Sequence, residues 1–385
     1  MFPYLLIAPF IYLLFTSISM PPTMEHSITQ KQYLEWRNPR YGEANPQQMN
    51  NPVWEHLIRT RQSGYIVNKE FNGPDSFDAG PAWCFDRFGQ SETSLPDGRT
   101  IFIAGEHEDS YDPDFFIYND VVITHPNDEI DIYTYPADIF PPTDFHSATL
   151  VGDQIILIGS LSYPELRQFE STQVAVLNLS DFSIQLVSTT GENPGWIHRH
   201  LATLSEDGNS IIIEGGLIDP GAQQPLLENI DDWELNLTNW RWTRLTRHNW
   251  PRWQFIHQDQ SRNFIFELGI LQFEQMNPRF KNNDNSFQKI IEERGITPDL
   301  NVLGTLYQPQ NVNYKILKRG EDDFRIHRIK IDNVTVRYVE SSYDVTLIIE
   351  GELPETTIQL LKNDLLAKLL QLEGVPWTAT KIASP

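Results

Sequence analysis

Short apolar runs that end in glycine punctuate the middle of the chain. They are Thr100-Ile-Phe-Ile-Ala-Gly105, Gln154-Ile-Ile-Leu-Ile-Gly159, Ser210-Ile-Ile-Ile-Glu-Gly215 and Asn263-Phe-Ile-Phe-Glu-Leu-Gly269. Their β-branched and aromatic content predicts strands. The glycines are 54, 56 and 54 residues apart, an interval that signals a structural repeat. A second marker keeps the same period. A preceding run ends at Leu95, Leu150 and Leu204, 55 and 54 residues apart, with a weaker counterpart around Phe255-Ile-His257. Between the runs of each pair lie Pro96-Asp-Gly-Arg99, Gly152-Asp153 and Glu206-Asp-Gly-Asn209, and Asp-Gly between two β runs is a strong hairpin signal.

After each glycine comes a variable polar loop and then a second hairpin. Trp233, Leu235 and Leu237 alternate with polar residues as in a half-buried strand. Each period therefore predicts four antiparallel strands, one blade of a β-propeller, and blades hide their faces by stacking on neighbours. Residues 20–80 read as an irregular, turn-rich segment that wraps this domain, with Val53–Arg61 its one helical stretch. Past the repeats, Val345–Ile349, Glu355–Leu372 and Thr378–Ile382 read as strand, helix and strand. The helix carries Ile358, Leu361, Leu365, Leu369 and Leu372 on one stripe. The apolar runs from Leu300 to Tyr338 either form a degenerate blade or belong with this end of the chain in a separate α+β module, and the second reading is preferred. The expected organisation is thus 1–19 apolar, 20–80 wrapping, 81–317 propeller and 318–385 α+β module.

Ile211-Ile-Ile-Glu-Gly-Gly216, followed by Leu235-Asn-Leu-Thr-Asn-Trp-Arg-Trp242, resembles the kelch repeat. The other copies depart from that pattern. Gly105-Glu106, Gly159-Ser160 and Gly269-Ile270 lack the second glycine, and Ile184 stands where Trp242 does. The likeness covers residues 83–270 and also points to an uncharacterised bacterial group of kelch-like proteins. It implies an all-β, kelch-like propeller with four or five recognisable blades plus the α+β module. It brings no activity with it.

Charge and cysteine content narrow the partners. Twenty-nine basic against 52 acidic residues give a net charge of −23. Such a chain repels phosphate backbones, which argues against a nucleic-acid partner. The single cysteine, Cys84, excludes an internal disulfide framework. The first 19 residues carry no charge. They read as a secretory signal or anchor, or else as a false start with Met20 or Met24 the true beginning. The chain is secreted or membrane-anchored, through residues 2–18, in the first case and cytoplasmic in the second.

Candidate chemistry concentrates in loops. Glu106-His-Glu-Asp-Ser-Tyr-Asp-Pro-Asp114 gathers carboxylates and a histidine, but matches no metal-loop template and reads as a solvated acidic loop. His146 and His200 occupy one repeat position, with His257 a third candidate there. They ring a channel or, more simply, repeat one packing contact. Trp83, Asp86, Arg87, Trp196, His198 and Arg199 precede the first strand of two repeats, where aromatic and charged groups suit a polar ligand. The candidate ligand-binding set is Trp83, Asp86, Arg87, His107, Asp112, His146, Trp196, Arg199 and His200. No Gly-x-Ser-x-Gly, His-Glu-x-x-His or phosphate loop occurs, and neither metal nor cofactor is expected. The sequence therefore points to a binding scaffold for a protein, glycan or other polar small molecule. The rival is an exported hydrolase, lyase or isomerase acting on a polar substrate such as a sugar.

Overall fold

The structure, a computed structural model, describes residues 28–108, 114–221, 224–276, 291–292, 295, 297–318 and 325–384. It is mostly β, in several sheets whose strands pair almost entirely antiparallel. Three of these sheets follow one plan, in which four antiparallel strands lie side by side in chain order. The first contains Ser91–Ser94, Thr100–Ile103, Val121–Thr124 and Ile130–Thr134. The second contains Ser147–Val151, Gln154–Ile158, Val174–Asn178 and Ile184–Leu186. The third contains Leu201–Leu204, Ser210–Glu214, Trp233–Asn236 and Arg241–Arg244. The middle strands of the first sheet are covered on both faces: Ile101, Phe102, Ile103, Val121, Val122 and Ile123 are all buried. That is why these strands read as unbroken apolar runs rather than as alternation.

Gly105, Gly159 and Gly215 each follow the second strand of their sheet, and all three have positive φ. Gly159 shows why glycine is needed. Its φ is +74°, and a Cβ there would lie 2.3 Å from the carbonyl oxygen of Ile197. Gly152, at φ +61°, would meet nothing within 4 Å. Gly159→Ala is therefore expected to lose at least about 1–2 kcal/mol to backbone strain, plus the clash. Gly152→Asn should be tolerated, because asparagine enters the left-handed region readily. Urea unfolding of the two variants distinguishes them, and equal losses would show that the close approach is unimportant.

The fourth run departs from expectation. Gly269 lies inside the helix Ile265–Met276, not at the end of a strand. Phe264, Ile265 and Leu268 are buried, at helical spacing, and Asn263 Oδ1 accepts from the Ile265 amide at 3.2 Å. The alternation of Phe264 and Phe266 around Ile265 resembled a strand only locally. Phe255-Ile-His257 is indeed in a strand, Arg252–His257, but it pairs with Asp344–Glu350 and Trp377–Ile382. Leu300–Gly304, part of a run considered for a degenerate blade, is helical.

The chain divides into two compact units. One comprises residues up to 155 with 161–166 and 175–186, and the other 156–160, 167–174 and 187 onward. In the first, the segment expected to be irregular forms four short helices, Gln30–Trp36, Pro52–Thr60, Gly64–Glu70 and Ser76–Ala79. Local caps start them. Thr29 and Gln32 form a capping box, Asn51 caps the second helix with Pro52 at its first position, and Ser63 and Asp75 cap the others. These helices bury Tyr33, Val53, Trp54, Leu57 and Val67 in one cluster with Trp83, Phe85, Phe102, Tyr118 and Val122. The Trp54 and Trp83 rings stack 5.0 Å apart.

In the second unit, a hairpin of Leu217–Asp219 and Leu227–Glu228 projects from the third sheet and pairs with Trp196–His198. The C-terminal part is a six-stranded sheet in the order Lys315–Ile316, Ile326–Ile331, Val334–Glu340, Asp344–Glu350, Arg252–His257, Trp377–Ile382. It therefore draws in residues well upstream of 318. The helix Glu355–Glu373 lays Ile358, Leu361, Leu365, Leu369 and Leu372 into its core, the stripe read from the sequence.

Candidate functional site

In the first unit, two of the candidate residues belong to one buried knot. Trp83 has no exposed surface, and its Nε1 donates to Asp120 Oδ2 at 2.7 Å. Arg87 pairs with the same carboxylate, donating to Oδ1 at 2.5 Å and Oδ2 at 3.0 Å. It also donates to the carbonyls of Cys84 at 2.7 Å and Ala104 at 2.9 Å. The guanidinium lies 3.4 Å from the centre of the Tyr118 ring. Burial pushes the Tyr118 phenol well above its usual range, so it stays protonated, and its oxygen accepts from the Cys84 amide at 3.1 Å. Trp83 and Arg87 thus have their polar atoms committed internally and their surfaces withdrawn from solvent.

Asp86 lies between them in sequence but points outward. It pairs with Arg61 at 2.7 Å, and both side chains are more than half exposed. Such a pair contributes little to stability and remains open to other partners. His107 joins this outer surface, its Nδ1 donating to the Asp86 carbonyl at 3.0 Å. Asp112 lies outside the described residues. His146 sits elsewhere in the same unit, with Nε2 2.8 Å from Ser91 Oγ. Ser91 and His146 hold matching places in the first two repeats, so one copy of this position contacts the next.

The second unit holds the other candidates. On the strand Trp196–His198 and the residues after it, Trp196, His198 and His200 are buried while Arg199 is exposed, with a left-handed φ of 59°. His200 packs against Gly159, where an added Cβ would come within 2.8 Å of its Cε1. His198 lies near an ion pair between Arg167 and Asp219, 2.7 Å apart. Neither of its ring nitrogens has a hydrogen-bond partner among the described residues. Burial pushes His198 down to about 4, with the positive charges of Arg199 and Arg167 adding to the effect and Asp219 opposing it. Burial also pushes His200 down to about 4, assisted by His198. Both imidazoles are neutral at pH 7 and can act as hydrogen-bonding groups rather than as cations.

Sequence reasoning missed Asp120, Arg167, Asp219 and Asp231. A signal existed for two of them, because Asp120 and Asp231-Asp232 directly precede the third strand of their repeats. Asp231 plays a role like that of Asp120. It accepts from Arg244 Nε at 2.8 Å and from the His248 amide at 2.6 Å. Among the described residues no group of three or more His, Cys, Asp or Glu side chains is placed to hold a metal ion. No described helix is long and apolar enough to cross a membrane. The apolar N-terminal stretch lies outside the described residues.

No protein-family model matches the chain, and no curated protein does. Among solved structures, one described as "Structure of YjhT" is similar at 14% identity, with a TM-score of 0.33. The match covers 42% of this chain and 52% of that one, so it spans about half of that structure.

Proposed function

We propose that the chain is a kelch-like β-propeller protein that acts as a binding scaffold, with recognition carried by the loops of its repeats. The observation that carries this reading is the contrast between constant strands and varied loops. Three sheets share one four-strand plan, yet the segment after each glycine differs. It includes the short hairpin Glu106–His107 with Phe116–Ile117 in the first, a 3₁₀ turn at Pro164–Leu166 in the second, and the hairpin Leu217–Asp219 with Leu227–Glu228 in the third. A rigid frame with variable connections is how recognition surfaces are commonly built. Contacts between successive copies agree with blades that lean on one another: Gly105 donates to the Thr143 carbonyl at 2.8 Å, and Ser160 to the Ile197 carbonyl at 3.0 Å.

Of the candidate residues, Asp86 and Arg199 are exposed and His107 is half-buried beside Asp86, and a glycan or polar peptide suits this mix of charges. The rival reading, an enzyme on a polar substrate, draws support from the neutral, buried His198 and His200. The test is capture of glycans and of peptides by the immobilised full chain, repeated with Asp86→Ala/His107→Ala and with Arg199→Ala. Loss of capture by at least tenfold in one of these, with the melting temperature unchanged, is the expected result. Capture that survives both, or chemical turnover of a captured glycan, overturns the scaffold reading.

A further inference from the structure

The C-terminal sheet bears a cavity of about 500 Å³ that lies apart from the repeat loops. Its volume falls in the range of roughly 300–1,000 Å³ typical of small-molecule sites. The walls are the helix Ile265–Met276, the helix Leu300–Gly304 with the residues after it, and the strand Ile326–Ile331. Phe266, Leu303, Leu306 and Ile329 make it largely apolar. Flat rings line one side: Tyr307 lies 4.1 Å from the His327 ring, centre to centre, and is backed by Tyr338 at 5.0 Å.

One carboxylate reaches this space. Glu340 is a lining residue whose side chain is 9% exposed. Its Oε1 lies 3.0 Å from His327 Nε2, and its second oxygen has no hydrogen bond to a described residue. Arg328 also lines the cavity, but strand alternation turns its side chain to the opposite face from His327. There it acts on Glu350, beside Arg337. Arg325, on the His327 face, has its guanidinium 4.5 Å from the Phe266 ring centre.

We infer that this cavity binds a small aromatic amine, with its ring body against Phe266, Leu306 and Tyr307 and its ammonium donating to Glu340. An apolar chamber with aromatic walls selects a flat hydrophobic body. A nearly buried carboxylate with acceptor capacity to spare selects a cationic hydrogen-bond donor. Gly269 provides the means of closing the chamber. It lines the cavity within a helix, and a Cβ there would meet nothing within 4 Å.

The test is calorimetric titration of the full chain with tryptamine, tryptophol and indole-3-acetate, which share one ring body and differ in the head group. Tryptamine is expected to bind at least tenfold more tightly than indole-3-acetate. Glu340→Gln should lower tryptamine affinity about tenfold and leave tryptophol unchanged. Gly269→Phe should abolish binding of all three while the circular dichroism spectrum is retained, and Gly269→Leu serves the same purpose if the phenylalanine variant does not fold. The inference is overturned if no probe binds at millimolar concentration. It is overturned equally if indole-3-acetate binds as well as tryptamine, through Arg325, or if a folded Gly269 variant binds tryptamine as the native chain does. Because this site is separate from the repeat loops, its failure leaves the scaffold reading untouched.

Discussion

Arg87→Ala is expected to destabilise the first unit by roughly 3–5 kcal/mol, because it strands the Asp120 carboxylate without its cation. Arg87 has no exposed side-chain surface and Asp120 only 4%. The carboxylate would keep the Trp83 indole as a donor but lose both guanidinium bonds. The Cys84 and Ala104 carbonyls would lose their donors at the same time. Replacing both members, as in Arg87→Met/Asp120→Leu, removes the uncompensated charge and should recover most of the loss. Urea denaturation followed by tryptophan fluorescence measures both, since Trp83 sits in the knot. If the single variant unfolds at the native midpoint, the knot does not hold this unit together. Should the double variant be no better than the single, the cost lies in lost packing and lost carbonyl partners rather than in stranded charge.

The second large effect is a loss of stability in mild acid, set by His198 and His200. Each is held at about 4 in the folded chain, below the ordinary value of 6.5. The unfolded chain therefore takes up protons first as the pH falls. The stability is fully present above about pH 6.5 and declines as the pH drops toward 4, by up to about 3 kcal/mol for each imidazole. His198→Leu/His200→Leu removes both groups and should flatten the dependence between pH 6.5 and 4.5. Unfolding midpoints measured at half-unit intervals decide the matter. A native profile already flat over that window, or a double variant as steep as the native chain, would show that these histidines are not the acid-sensitive groups.

The strands of the three repeats were legible because two independent signals, glycine spacing and a turn of aspartate and glycine between the first two strands, agreed. Where only one signal was present the reading failed. Gly269 kept the interval, but no hairpin signal precedes it, and Phe264, Ile265 and Leu268 obey the helical period instead. The helix Glu355–Glu373 was legible from its long stripe, whereas Gln30–Trp36 and Gly64–Glu70 are too short for periodicity and show themselves mainly through capping residues. The site was less legible than the fold. Sequence identifies Trp83, Asp86 and Arg87 as a polar-aromatic cluster, but burial separates them: Asp86 faces solvent while its neighbours turn onto Asp120. Asp120 is 33 residues from Arg87, so no local pattern announces their pairing. The cavity around Glu340 was illegible for the same reason, since it is assembled from segments far apart along the chain.

The place of Arg252–His257 between Asp344–Glu350 and Trp377–Ile382 has a consequence for biosynthesis. On the ribosome this segment emerges long before either neighbour has been translated, so both of its hydrogen-bonding edges stay bare until those strands follow it. A nascent chain stalled short of Trp377 would carry an unsatisfied ribbon ready to join another molecule. The synthesis of Trp377–Ile382 thus decides whether the sheet closes on itself or recruits a stranger.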